Sequence, residues 1–277
     1  MNQKAFTLIE LLIVVAIIAL LLAIIVPALG IAKEQTRTIV CGSHLRGIGY
    51  AINGYLESNE SRFHNMTNFG LWENPNTGKE YDCDDSWAYW AIAYSQYADT
   101  KDVFHCSAAK RVDMWCVGSE PFSGWEEAKL KKMFYYCHYG INGYTAYESG
   151  DNVRFRKITD FKVPSNVIFC QDHIEQTLDG AYSDMFTANP AGINLSQWRR
   201  DYIVPYPECV SECFRHNRSS YARKNLTDPY AVEKGLSNSL WLDGHVSRIE
   251  ESTGTDVQYR WYTGHIVDPA VDRWNMK

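Results

Sequence analysis

From Leu11 to Val26 every position of the chain is apolar and uncharged. Taken from Phe6, the segment reaches 21 residues, with Glu10 as its one charge. A helix of that length covers about 31 Å, roughly one hydrocarbon core. The pattern then changes instead of stopping. Cys41, Leu45, Ile48, Ile52 and Tyr55 recur at spacings of four, three, four and three, which marks one face of a helix. With Ile31 and Ala32 in between, the spacing predicts one helix over 6–57. Its first half would face lipid or filament neighbours, and its second half would lie on a globular head. Gly42, Gly47 and Gly49 lower its intrinsic propensity and permit close approach to another element.

Beyond Ser58 the chain is rich in Asn, Gly, Asp, Tyr and Trp, the composition of loops and short strands. Residues 86–98 read as a helix capped by Ser86, and 124–135 as a second short helix. Strand-like runs are 167–170, 202–204, 240–242, 246–249 and 257–262. Asp243-Gly244 between two β-prone runs predicts a two-residue hairpin with both turn residues at positive φ, placing Trp241 opposite Val246. There is no internal repeat and no linker. The expected fold is α+β: a long N-terminal helix, its first half embedded in a membrane, packed on a small antiparallel sheet head over 58–277.

Composition narrows the function. A net charge of -6 and a pI near 5.8 argue against a general nucleic-acid partner, which needs a basic face to displace counterions. The nine Trp, eighteen Tyr and eleven Phe read first as core and amphipathic surface rings, and secondarily as a stacking surface for sugars or partners. Seven of the eight cysteines lie beyond residue 80. In an exported chain that number suggests disulfides. Eight cysteines allow about 105 pairings, so connectivity is open. Cys41, in the helix, also reads as a buried thiol.

The apolar segment admits three readings. A secretory signal peptide is served by Lys4 and by the small residues Ala28-Leu29-Gly30. A plain signal anchor needs only the apolar run. Neither explains Glu10, a carboxylate that costs about 2.5–3.5 kcal/mol if carried to the bilayer centre and therefore calls for a partner. A cut between Ala5 and Phe6 would create an amine near the depth of Glu10, able to neutralise it within the chain or in a neighbour.

The run K-A-F-T-L-I-E-L-L-I-V-V-A-I-I-A-L-L-L-A-I-I-V-P-A resembles the class III signal of type IV prepilins and type II secretion pseudopilins. The resemblance implies a leader over 1–5, cleavage by a prepilin peptidase between Ala5 and Phe6, and methylation of Phe6. Glu10 falls at the family's assembly glutamate, and Pro27 at the proline where the membrane helix kinks or loosens. Ala5 stands where the family usually has glycine. The implied location is the bacterial inner membrane, single-pass with the head in the periplasm, and then a periplasmic or surface filament. The implied partners are the peptidase and other pilin or pseudopilin subunits. The competing reading is a membrane-anchored extracytoplasmic module that binds a polysaccharide or a partner protein.

Head segments add a narrower resemblance, to bacterial pseudopilin-like proteins with a processing-associated motif of His, nine residues and Asp-Gly. C-G-S-H-L-R-G-I-G-Y-A-I-N-G-Y, V-F-H-C, Y-G-I-N, P-S-N-V-I-F-C-Q-D, Arg215-His216 and L-D-G-H-V are similar to its blocks. Here 26 residues separate His216 from Asp243, so the motif carries an insertion.

Candidate chemistry is sparse. Asp172, His216, Asp243 and His245 are candidate ligands for Ca²⁺ or Zn²⁺, although a turn aspartate, a strand-ending aspartate and ordinary histidine hydrogen bonds account for the same residues. Cys209-x-x-x-Cys213-x-x-His216 is half of a zinc site without a second pair, and equally a disulfide segment. A Gly-x-Ser-x-Gly turn, a His-Glu-x-x-His motif and a P-loop are all absent. The expected function is structural, without catalysis.

Overall fold

The computed structural model describes residues 7–64, 70–85, 87–109, 124, 126–142, 145, 148–149, 152–153, 157–173, 177–178, 214–217, 235–250 and 261. Helix α1, Leu8–Ser58, is unbroken over 51 residues and so about 77 Å long. Pro27 lies inside it, and the helical span continues on both sides. Proline has no amide to give, so the Ala23 carbonyl loses its intrahelical donor. The start is fixed by a capping box at Thr7 and Glu10.

The two halves of α1 have different surroundings. From Thr7 to Lys33 every residue is exposed on every side. From Thr38 onward, one face is buried: Cys41, Leu45 and Ile48 are fully covered, and Ala51, Ile52 and Leu56 continue the stripe. Four of the five positions expected for this face are buried, whereas Tyr55 is only partly buried and Leu56 takes the last buried place.

The head is built on a five-stranded sheet in the order β5-β1-β4-β6-β7. Its strands are β1 (Tyr139–Asn142), β4 (Ile168–Asp172), β5 (Thr177–Leu178), β6 (Leu236–Trp241) and β7 (Val246–Glu250). β1, β4, β6 and β7 pair antiparallel, and β5 joins β1 in parallel. A separate hairpin joins β2 (Glu148–Ser149) to β3 (Asn152–Val153). The fold is thus α+β, a long helix on a small antiparallel sheet, consistent with a pilin-like architecture. Central β4 is buried at all five positions. α1 packs across β6 and β7. A Cβ on Gly49 would stand 3.1 Å from Leu240 Cδ1 and 3.6 Å from the Gly244 carbonyl, so glycine there lets the helix settle onto the hairpin.

Three local expectations need correction. The aromatic run 87–98 holds only one short helix, α2 (Ile92–Ser95), and Ser86 lies outside the described residues. Its first part bridges Leu71 at Ala88 and turns its rings inward. The Tyr89 hydroxyl and Trp90 Nε1 both donate to the Tyr139 carbonyl, at 2.6 and 3.0 Å. Tertiary packing outweighs the helical pattern here. The second helix, α3, spans Glu127–Met133.

The β6–β7 hairpin has the predicted place but a different turn. Leu240, not Trp241, opposes Val246. Gly244 N donates to Trp241 O and Trp241 N to His245 O, which leaves a three-residue loop of Leu242, Asp243 and Gly244. Of its two central candidates, only Gly244 takes positive φ, at 88°, as in a type I turn closed by a left-handed glycine. β6 also begins earlier than its apolar run, because Ser237, Asn238 and Ser239 are buried within the sheet. The strand runs at 202–204 and 257–262, apart from Trp261, lie outside the described residues.

Candidate functional site

Two regions carry chemistry that packing alone does not require. The first is the N-terminal half of α1. Thr7 Oγ1 accepts from Glu10 N at 3.2 Å, while Glu10 Oε2 accepts from Thr7 N at 2.9 Å and from the Thr7 hydroxyl at 2.8 Å. Glu10 therefore holds the first turn together within its own chain. Thr-x-x-Glu is a capping-box signature, legible in the sequence but missing from the expectations above. Ala5 and Phe6 lie outside the described residues. Beyond Glu10 no charge occurs until Lys33, and the exposed surface is Leu, Ile, Val and Ala all round. α1 is the one described helix long and apolar enough to cross a membrane, and it stands near the N-terminus.

The second region is a buried polar cluster where β4, β6 and the 214–217 segment meet the helix. Asp172 ends β4 with no exposure. Its Oδ2 accepts from Asn238 N at 2.7 Å and lies 3.2 Å from His216 Nε2, and its Oδ1 lies 3.7 Å from Arg215 Nε. Arg215 Nη2 also donates to the His138 and His173 carbonyls. A buried charge set of this kind persists only when each charge finds an opposite one. Burial alone would lower the His216 pKa. The Asp172 carboxylate, through charge and hydrogen bonding, and Cys41 beside it outweigh that and raise it to about 9.

Cys41 from α1 and Cys106 from the loop after the 3₁₀ turn Lys101–Phe104 close the cluster. Their sulfurs lie 2.6 Å apart, and Cys106 Sγ lies 3.6 Å from His216 Nε2. The contact with Cys106 pulls the Cys41 group down, while burial, and then the contact with Cys41, pushes Cys106 up. His138 Nδ1 accepts from Cys106 N at 3.0 Å, which requires a neutral ring. Burial, then Arg215, holds its pKa well below the usual histidine value. One ligand atom each from Cys41, Cys106 and His216 lies within 4.8 Å of the others.

Of the four candidate metal ligands, the structure brings Asp172 and His216 together. Asp243 and His245 meet each other elsewhere, at the exposed hairpin tip, with Asp243 Oδ1 2.5 Å from His245 Nδ1. The His245 ring stacks on Trp241 at 5.3 Å. Asn238, which binds Asp172, lies three residues before the end of β6 at Trp241, so about 10 Å of strand separates it from the turn that holds Asp243. Cys209 and Cys213 lie outside the described residues. Cys41 and Cys106 as a pair escaped sequence reasoning, since 65 positions separate them.

Residues 1–26 match the prokaryotic N-terminal methylation motif. No curated protein and no solved structure matches the chain. The motif supports a precursor like a type IV pilin or pseudopilin, a class of structural proteins, and implies processing by a prepilin peptidase and assembly with other pilin subunits. The apolar N-terminal helix and this motif fit a membrane-anchored pilin.

Proposed function

We propose that the chain is a pseudopilin-like structural subunit, cut between Ala5 and Phe6, methylated on Phe6, and assembled into a type II secretion or type IV pilus-like filament. The observation that carries this reading is the half-helix Leu11–Ala32, exposed and apolar on every side and continuous with a half that is docked in the head. A helix apolar all round is stable only in lipid or among other such helices. Lipid holds it before assembly, with the head in the periplasm, and neighbouring subunits hold it afterwards. Glu10 then sets the axial register by pairing with the amine of an adjacent chain.

Mass spectrometry of the mature N-terminus, on protein from its native membrane fraction, tests the route. A chain beginning at methylated Phe6 is expected. A chain beginning near Ile31, or an intact Met1, would overturn it. Glu10→Gln tests the register: glutamine still serves a capping box, so insertion and head stability should hold while incorporation into filaments falls at least tenfold. Unchanged incorporation would remove Glu10 from assembly. An anchored binding module uses the helix only as a tether and predicts no effect of Glu10→Gln. Its aromatic surface finds little support among the described residues, where Trp72, Trp90, Tyr89 and Tyr94 are all in the core.

A further inference from the structure

We propose that Cys41 and Cys106 form a disulfide that fastens α1 to the head. The 101–106 segment runs back along the helix, and three successive contacts fix its register. A Cβ on Gly47 would stand 3.0 Å from Val103 Cγ1; His44 Nδ1 donates to the His105 carbonyl at 2.8 Å; Cys41 Sγ meets Cys106 Sγ. Positions 41, 44 and 47 follow one another at helical steps of three, so they share a side of the helix. The first two contacts bring the third into place independently of the sulfurs. Both cysteines have no exposure.

A metal is the other chemistry these groups offer, with His216 as a third ligand. Two thiolates on one tetrahedral zinc, each about 2.3 Å from the ion, stand about 3.8 Å apart. The sulfurs here are closer than that, at 2.6 Å, and both are free in this structure, beyond the bonding distance of a disulfide. His216 is also already engaged by Asp172. The geometry therefore favours a bond between the sulfurs.

The proposal rests on the exported head described above. Cys41 stands 15 residues past Val26, about 22 Å of helix beyond the apolar stretch, on the side of the head. The oxidant is a thiol–disulfide oxidoreductase in its disulfide form. One thiolate attacks a sulfur of that disulfide, the resulting mixed disulfide is displaced by the second cysteine, and the enzyme leaves as a dithiol carrying the electron pair and both protons. Because the finished site is sealed, oxidation precedes closure of the core, and the bond then resists reductant until the protein is unfolded.

Peptide mapping of the full-length protein, acid-quenched, unfolded and alkylated without reduction, tests this directly. Trypsin releases Thr38–Arg46 and Asp102–Lys110, each with one cysteine. The expected result is the two peptides joined, and separated by reductant. Both peptides alkylated, from cells whose head is open to external protease, would overturn the disulfide. If both alkylate only after EDTA removes a bound ion, the site is a metal site and the proposal fails. Alkylated peptides with the head protected from protease would overturn the exported orientation and the disulfide with it. In detergent, reduction during unfolding should lower the apparent Tm by about 10 °C. Cys41→Ala, Cys106→Ala and the double variant should all match that reduced value. Additive losses in the double variant would overturn the bond.

Discussion

The two halves of α1 share one backbone and almost nothing else. Between Leu11 and Ala32 the helix is apolar on every side and exposed throughout. Between Thr38 and Leu56 it is apolar along a single stripe, and that stripe is sealed against β6, β7 and the 101–106 segment. Neither half owes its helicity to propensity alone. The second takes its stability from packing in the head. The first has no such packing and depends on a surrounding that the isolated chain does not supply. The number of apolar sides thus separates a helix half that completes a fold from one that needs lipid or other apolar helices around it.

A substitution in one half should leave the property of the other untouched. Leu45→Ala removes a fully buried side chain from the docked half and should cost the head about 2–5 kcal/mol, read as a fall in Tm with membrane association unchanged. Ile18→Arg, in the middle of the exposed half, should cost membrane insertion about 3 kcal/mol, read as a shift from the membrane fraction, with the Tm of the detergent-solubilised head unchanged. If either variant moved both readouts, the division would be wrong.

A pH series distinguishes the halves more gently. His216 has its folded pKa raised to about 9, above the ordinary histidine value. Its contribution is complete below about pH 6.5 and is lost as pH rises through about 9. The groups facing it are Asp172 from β4, Arg215 beside it in sequence, and Cys41 and Cys106. The loss should be at most about 3 kcal/mol, and smaller once the sulfurs are joined, because Asp172 alone then sustains the shift. Denaturant melts of the head between pH 6 and 10 measure it. His216→Gln should flatten the slope, and insertion should not respond.

The helix was legible because its evidence is local and repeated: an apolar run, then a stripe at three-four spacing. The hairpin was legible in place but not in register, since Asp-Gly serves two- and three-residue loops alike, and only the backbone at Gly244 decides. β6 was half hidden because Ser237, Asn238 and Ser239 look like surface residues. Asn238 among them is held by partners remote in sequence, Asp172 and the Thr38 carbonyl. For the same reason Asp172 and His216 could be named as candidates while Cys41 and Cys106 could not be paired. Contacts that close over many tens of residues leave no periodic trace in the chain.

The capping box at Thr7 and Glu10 has a consequence for subunit traffic. A carboxylate near the end of an apolar segment with no companion is open to any amine that reaches it. Glu10 is instead occupied by its own first turn, through three hydrogen bonds to Thr7. In the proposed filament, a neighbour's amine would displace an existing arrangement rather than fill an empty one. On that proposal, the unassembled chain keeps its carboxylate satisfied until a stronger partner arrives.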